Sequence, residues 1–434
     1  MSTQPLPGFR DFYPADFAFR AHIFETWREV ARRYGFEEYD GPPLEPLELY
    51  TAKSGEEIVD QLYNFTDKGG RDVALRPEMT PTVARMIAAR AGGMKKPIRW
   101  FSIAQFFRYE RQQRGRLREF YQLNCDILGE PGPLADAELI ALAVDLMRGF
   151  GLGASDVRVR LSDRRLLNAV LAECGLASEQ WPQAYSALDK VGKMEPTVWQ
   201  VMVLQSGFKA EAVAALERLK AINSWAQLSQ TYPSAVAAAP LARTLTALDA
   251  MGLGGFVDVD LTIVRGLDYY TGTVFELFDA GRSLRAIAGG GRYDTLLNLL
   301  GGVDLPAVGF AIGDVVLGEL LKERGLAPSP PSGVEVFVAG VTGDDLPSVL
   351  RLAHELRDSG LRVEYALKPD AVGKQLKLAD ARQAAFAVVI GPDDRARGEV
   401  QLKDLRGKGQ RAVAAGEAVV VLRELVAGGV RRQA

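Results

Sequence analysis

"FRYERQQRGRLREFYQLNCDILG", Phe107 to Gly129, is the stretch whose reading decides the fold. Two apolar, alternating runs flank a centre, RQQRGRLR, that holds four arginines and two glutamines. That charge cannot sit in a core without partners. Side chains two apart in a strand share a face, so Gln122, Asn124 and Asp126 form one row and Tyr121, Leu123, Cys125 and Ile127 the other. By the same rule Arg108 and Glu110 point together. If the run 117–128 pairs with the strand pattern at 98–109, one surface carries a polar row and the other packs on a core, the pattern of an antiparallel sheet with one wet face. The polar face would floor a site for a polar ligand. The connecting RQQRGRL reads as a loop too long and too basic for a two-residue turn, with Gly115 for flexibility. Arginine forks match phosphate oxygens, although a solvated basic loop accounts equally well for this segment alone.

Outward from this hairpin, strand patterns recur at 257–264 and 272–278. "AHIFETWREVARRYGF" (21–36) spaces Ile23, Trp27, Val30 and Ala31 as one helical face and stops at Gly35. Between about 165 and 250 the chain is rich in Ala, Leu and Gln with helical periodicity, which predicts a helical insertion in the sheet domain. "KERGLAPSPPSG" (322–333) has little to bury and reads as a linker. Beyond it strands (VEVFVAGV, LRVEYAL, FAVVIG) alternate with helices (DLPSVLRLAHELRDSG, AVGKQLKLADARQA), which predicts a small α/β domain. The expected organisation is α+β: a domain over 1–325 with the insertion, then an α/β domain over 334–434.

The 434 residues are 47% hydrophobic and 25% charged, the profile of an ordinary globular protein. No apolar run approaches a membrane span and the start lacks a signal-peptide layout, so a cytoplasmic protein is expected. Two cysteines, Cys125 and Cys174, and two histidines, His22 and His354, argue against a disulfide framework, a zinc cluster or a histidine triad. A net charge of −3 excludes wholesale coating of a polyanion but allows local basic grooves.

Three further clusters carry polar chemistry. "VALRPEMTPTVARMIAAR" (73–90) sets Arg76, Glu78 and Thr80 at a helix entrance, where Glu78 and Thr80 are also ordinary capping candidates. "TIVRGLDYYTGTVFELFD" (262–279) leads from Ile263 and Val264 into Arg265 and two tyrosines, Tyr269 and Tyr270. A lone arginine at a strand end is also an ordinary salt-bridge member. "AIAGGGRYDTLL" (286–297) offers three glycines for close backbone approach to a ligand, with Arg292 and Tyr293 as polar tips.

Together, in order and spacing, these segments resemble the signatures of the histidyl-tRNA synthetase family of class II aminoacyl-tRNA synthetases. YGFEEYDGPPLEP is similar to the first motif, with Pro42 in the place of its proline. LRPEMT is similar to the segment holding the substrate's amino group, and FRYERQQRGRLREFYQ to the second motif and its loop. VRGLDYYTGTVFE and GGGRYD resemble the two histidine-specific stretches. The resemblance covers about residues 8 to 410 and implies a class II antiparallel-sheet catalytic domain followed by an anticodon-binding domain.

The roles it implies follow the matching positions. Arg108 would hold the α-phosphate of ATP, Glu110 the adenine amino group, and Arg116 the terminal phosphates. Glu78, Thr80, Gln122 and Asp126 would hold the ammonium group of L-histidine. Tyr270 and Tyr293 would hold its imidazole, with Tyr269 in the same pocket. Arg265 is the residue most peculiar to histidine activation and, with Arg108, would cover the reacting phosphorus. Gln113 and Arg118 would face the acceptor end of tRNA(His). Mg²⁺ bridging the other phosphates and a homodimer are also implied. One position departs from the pattern: the third motif ends in arginine, whereas VGFAIGDVVL (308–317) places Val316 there, leaving Arg116, Arg282 or Arg285 as replacement cations. The activity so implied is histidine–tRNA ligation. The alternatives are a synthetase-like regulatory subunit of ATP phosphoribosyltransferase and a non-catalytic tRNA-binding paralogue.

Overall fold

The computed structural model describes residues 3–430 except 55, 112, 192–193, 238, 265–268, 282, 329–332, 369 and 408. Two compact units result, Met1–Pro328 and Ser329–Ala434.

The strands of the first unit are, in chain order, β1 (Glu37–Glu38), β2 (Leu44–Pro46), β3 (Asn64–Thr66), β4 (Asp72–Leu75), β5 (Ile98–Phe107), β6 (Glu119–Leu128), β7 (Val157–Asp163), β8 (Val257–Val259), β9 (Thr273–Asp279), β10 (Ala288–Arg292) and β11 (Ala307–Gly313). Eight of them form one sheet in the order β1-β5-β6-β11-β10-β9-β7-β8, and β2-β4-β3 form a small second sheet. The large sheet is antiparallel except at its margins, where β1 runs parallel to β5 and β8 to β7. β5 and β6 pair over their full length, from Ile98↔Leu128 to Phe107↔Glu119.

One face of this sheet is dry. The helices Pro14–Arg33 (α1), Glu48–Ser54 (α2), Thr80–Ala88 (α3) and Pro133–Gly149 (α4) precede β7, and α1 and α4 supply much of its cover. α1 buries Ile23, Trp27, Val30 and Ala31, the stripe that the 3.6-residue period predicts. α4 is buried along most of its length because it lies between the sheet and α1. The partners on the sheet are Leu123, Cys125 and Ile127, all essentially inaccessible. Cys125 and Cys174 are both free thiols. Among the described residues, seven α-helices run from Arg164–Glu173 to Leu241–Ala250, where the alanine-rich periodicity predicted helices.

Three local expectations change. The first helix begins at Pro14, not residue 21, since proline at the first turn costs no hydrogen bond there. The strand expected over 257–264 stops at Val259, because Asp260 turns the chain by accepting from the Thr262 backbone N–H at 2.9 Å and its hydroxyl at 2.6 Å. The segment expected as a linker from residue 322 is still helical to Glu323, extending Asp314–Glu323, whose Leu317, Leu320 and Leu321 are buried.

The second unit holds β12 (Val336–Gly340), β13 (Val363–Tyr365), β14 (Phe386–Ile390), β15 (Glu399–Asp404) and β16 (Gln410–Ala414) in the order β13-β12-β14-β15-β16. β12 pairs in parallel with β13 and β14, and β15 and β16 are antiparallel. Alternation along β12 sends Val336 and Val338 into one apolar cluster and Phe337 and Ala339 into another, so both faces of the sheet are covered.

Candidate active site

The wet face of the large sheet carries a cavity of about 650 Å³. Its floor is the row anticipated from the period-2 pattern, for Gln122, Asn124 and Asp126 all line it from β6. Asp126 is the most constrained of the three. It lies opposite Gly309 in the β6–β11 register, and a Cβ added at Gly309 would sit 2.0 Å from Asp126 Oδ1, so only glycine leaves the carboxylate its place. The Tyr293 hydroxyl donates to the same oxygen. Burial pushes the Asp126 carboxyl up from its usual 3.8 to about 7, against the downward pull of that hydrogen bond. Burial first, then the neighbouring Asp126 charge, holds the Tyr293 phenol well above its ordinary value, so it remains a donor.

Aromatic rings close this end. Tyr269 and Tyr270 lie 4.7 Å apart and Tyr269 meets Tyr293 edge-on at 6.1 Å. All three line the cavity, together with Glu78 and Thr80 from the entrance to α3. The N-cap of that helix is Met79, so neither Glu78 nor Thr80 takes the capping position that the sequence allowed.

Cations form the opposite wall. Arg108 lies just past the end of β5. Its Nε donates to the Pro77 carbonyl at 3.0 Å and its guanidinium sits 5.1 Å from the Phe120 ring centre, an arrangement that fixes the group yet leaves its other nitrogens for a ligand. Glu110 and Arg116 face the same cavity and pair with each other at 2.7 Å. The loop that carries them differs from the open excursion expected. Its tip is closed by reciprocal backbone bonds between Gln113 and Arg116, leaving Arg114 and Gly115 as a two-residue turn. Gly115 has φ +73°, a conformation that explains a glycine at this point. Ion pairs of Arg114 with Glu319 (3.5 Å) and Glu323 (2.6 Å) anchor the tip, which is how a charged segment becomes ordered.

Gln113 and Arg118 do not line the cavity. The side chain of Gln113 accepts from Arg285 at 3.0 Å. Arg118 covers the Tyr109 ring at 4.3 Å and donates to the Glu110 carbonyl at 3.2 Å. Arg265 and Arg282 lie outside the described residues.

One expectation is overturned. Arg292, read as a polar tip near a ligand, is wholly buried and turned away into structural bonds. It pairs with Asp136 (3.0 Å) and Asp294 (3.1 Å) and donates to the carbonyls of Glu130 and Gly132. Of the three glycines before it, Gly290 and Gly291 serve sheet packing: added Cβ atoms would meet the Gly309 carbonyl at 2.1 Å and the Thr273 carbonyl at 2.4 Å. Gly289 alone lines the cavity.

Two contributors escaped the sequence reading. Glu276 faces the cavity from β9 beside Phe278, two residues on. A single carboxylate inside the apolar run TVFELF was the available signal. Arg10 ties the start of β6 to the end of β11 through Glu119 (3.4 Å) and Asp314 (2.8 Å), while Asp314 also accepts from the Tyr121 backbone N–H. No local pattern in PGFRDFYP announces that link.

Comparison with known proteins identifies the family. Residues 8–314 match the family described as Histidyl-tRNA synthetase, and residues 335–425 match the Anticodon binding domain. A histidine–tRNA ligase of Opitutus terrae is 48% identical over 410 residues, covering 93% of this chain and 94% of its own. One of Haloarcula marismortui is 42% identical over 406 residues, covering 92% and 93%. The solved histidyl-tRNA synthetase of Nostoc sp. PCC 7120 superposes with a TM-score of 0.83 at 26% identity, covering 98% of this chain and 99% of its own. A carboxylate-floored, tyrosine-walled pocket facing an arginine wall on a class II sheet, in a chain with this likeness, places the protein in the histidyl-tRNA synthetase family.

Proposed function

We propose that this chain activates histidine with ATP and transfers it to tRNA(His). The observation that carries the reading is one cavity lined both by the carboxylates Asp126 and Glu78 and by the guanidinium groups of Arg108 and Arg116. A free amino acid presents an ammonium group and a carboxylate. Asp126, Glu78, Thr80 and Gln122 suit the ammonium, and the tyrosines suit the imidazole. The substrate carboxylate is thereby directed toward Arg108. Its oxygen attacks the α-phosphorus of ATP, the bond to the bridging oxygen breaks, and pyrophosphate leaves. Attack by a terminal tRNA hydroxyl on the acyl carbon then releases AMP.

Negative charge accumulates on the phosphoryl oxygens during the first step, so fixed cations are the main source of rate. Arg108 is held by Pro77 and Phe120 before any ligand arrives, and it therefore pays little reorganisation. Arg265 is assigned the second cation on family resemblance. Glu110 suits the adenine amino group, and Arg116 the terminal phosphates. Mg²⁺, when bound, would neutralise phosphate charge. Glu110 and Glu276 are further carboxylates lining the cavity, and among the described residues no three metal-ligating side chains cluster, so phosphate oxygens and water would complete its shell. A pocket that bonds imidazole nitrogens leaves buried polar groups unpaired when another side chain enters, so discrimination of about ten-thousandfold needs no editing.

The anticodon-binding unit supports tRNA as partner, with Gln113 and Arg118 as contacts near the acceptor end. Among the described residues no helix is long and apolar enough to cross a membrane. A cytoplasmic homodimer completes the reading. Histidine-dependent ATP–pyrophosphate exchange, run with each amino acid in turn, tests it: exchange with histidine alone is expected. Absence of exchange would refute ligase activity and favour a regulatory or purely tRNA-binding protein.

A further inference from the structure

Val316 leaves an apolar patch on the cavity wall, 8% exposed, at the start of the helix Asp314–Glu323. A guanidinium from elsewhere in the chain reaches that patch. A Cβ placed on Gly115 would lie 3.2 Å from Val316 Cγ2 and 3.5 Å from Arg285 Cδ, so the hairpin tip, the valine and the stem of Arg285 meet at one point. Arg285 comes from the segment between β9 and β10, and its Nη1 donates to the neutral side chain of Gln113 at 3.0 Å.

Charge balance at this spot is incomplete. Arg116 takes Glu110 as its ion-pair partner, and among the described residues Arg285 has no carboxylate within ion-pair distance. Burial and the field of Arg116 together push the Arg285 guanidinium below its ordinary pKa, with only a partial offset from Glu110. Two forks thus share one carboxylate at the mouth of a cavity. Like charges held together in this way are stabilised when a polyanion enters between them. A smaller residue at 316 gives the Arg285 stem its seat, since an arginine there would compete for the same space beside Gly115.

We propose that Arg285 binds the terminal phosphates of ATP, forming with Arg116 a two-guanidinium clamp that supplies the cation Val316 cannot. This assignment rests on the ATP-dependent reading above. It gives Val316 and Arg285 a joint explanation: the positive charge has moved from the helix to the connection between β9 and β10. The same clamp would hold leaving pyrophosphate.

The test compares wild type, Arg285→Gln and Arg285→Lys. In pyrophosphate exchange, Arg285→Gln is expected to raise the KM for ATP roughly ten- to a hundredfold, the effect of losing a charge-assisted hydrogen bond, and to leave the KM for histidine unchanged. Arg285→Lys should recover only part, because an ammonium keeps the charge without the fork. Equal KM for ATP in wild type and Arg285→Gln would overturn the proposal, as would a parallel rise in the KM for histidine. Calorimetric titration of the free protein with inorganic pyrophosphate keeps this separate from the ligase reading. Weaker binding by Arg285→Gln supports the clamp even in a protein without exchange activity, and unaltered binding refutes it.

Discussion

Asp126→Asn is expected to weaken histidine binding while making the catalytic unit more stable above neutral pH. The carboxyl is 5% exposed, receives the Tyr293 hydroxyl, and is pressed over Gly309. Its folded pKa of about 7 stands above the ordinary 3.8, so the native chain holds this proton more tightly than the unfolded chain. Stability tied to the group is therefore fully present below about pH 4 and is lost as pH rises toward about pH 7. At about 1.4 kcal/mol per pH unit, the loss over the whole window is about 4 kcal/mol, of which about 3 kcal/mol falls above pH 5. Asparagine carries no such proton, so the stability of the variant relative to wild type should climb by about 3 kcal/mol between about pH 5 and about pH 8. Urea unfolding followed by tryptophan fluorescence reads this out. All five tryptophans, at positions 27, 100, 181, 199 and 225, belong to the first unit, so the signal is blind to the second. Histidine affinity should fall roughly tenfold or more, the value of a hydrogen bond to a charged partner. Parallel pH profiles for the two proteins would refute the buried, raised carboxyl, and an unchanged histidine Kd would remove Asp126 from the amino-acid subsite.

Other perturbations follow from the same geometry. Gly309→Ala should abolish histidine binding without unfolding the sheet, because the methyl would lie 2.0 Å from Asp126 Oδ1 and displace it; titration of the folded variant with histidine checks this, and normal affinity would contradict the close approach. Arg292→Met should destabilise the catalytic unit by about 3–5 kcal/mol by leaving Asp136 buried without its cation. Burial already raises Asp136 to about 6 against the opposing pull of Arg292, so removing that cation lifts it further and the deficit should grow as pH rises; tryptophan-detected urea unfolding that shows no deficit, or one that is flat with pH, would refute this role for the pair.

The sequence by itself determined the alternation of β6, because a period of two assigns faces without reference to any other part of the chain. Gln122, Asn124 and Asp126 had to lie together, and Leu123, Cys125 and Ile127 had to face a core. The stripe on α1 and the strand-helix rhythm of the second unit were legible for the same reason. What stands across from a face was not. Arg292 and Tyr293 are adjacent in GGGRYD and equally polar, yet one is locked into a buried ion pair with Asp136 and the other reaches Asp126 in the cavity. That division depends on α4, packed against β10, and on β6, one strand beyond β11 from it, positions that come from the packing of distant segments. Arg10 with Glu119 and Asp314, Arg114 with Glu323, and Arg285 beside Val316 likewise join residues far apart in the chain. Local periodicity reports which way a side chain points; only the tertiary structure decides which charge it meets there, because that meeting is set by how the whole sheet and its helices pack.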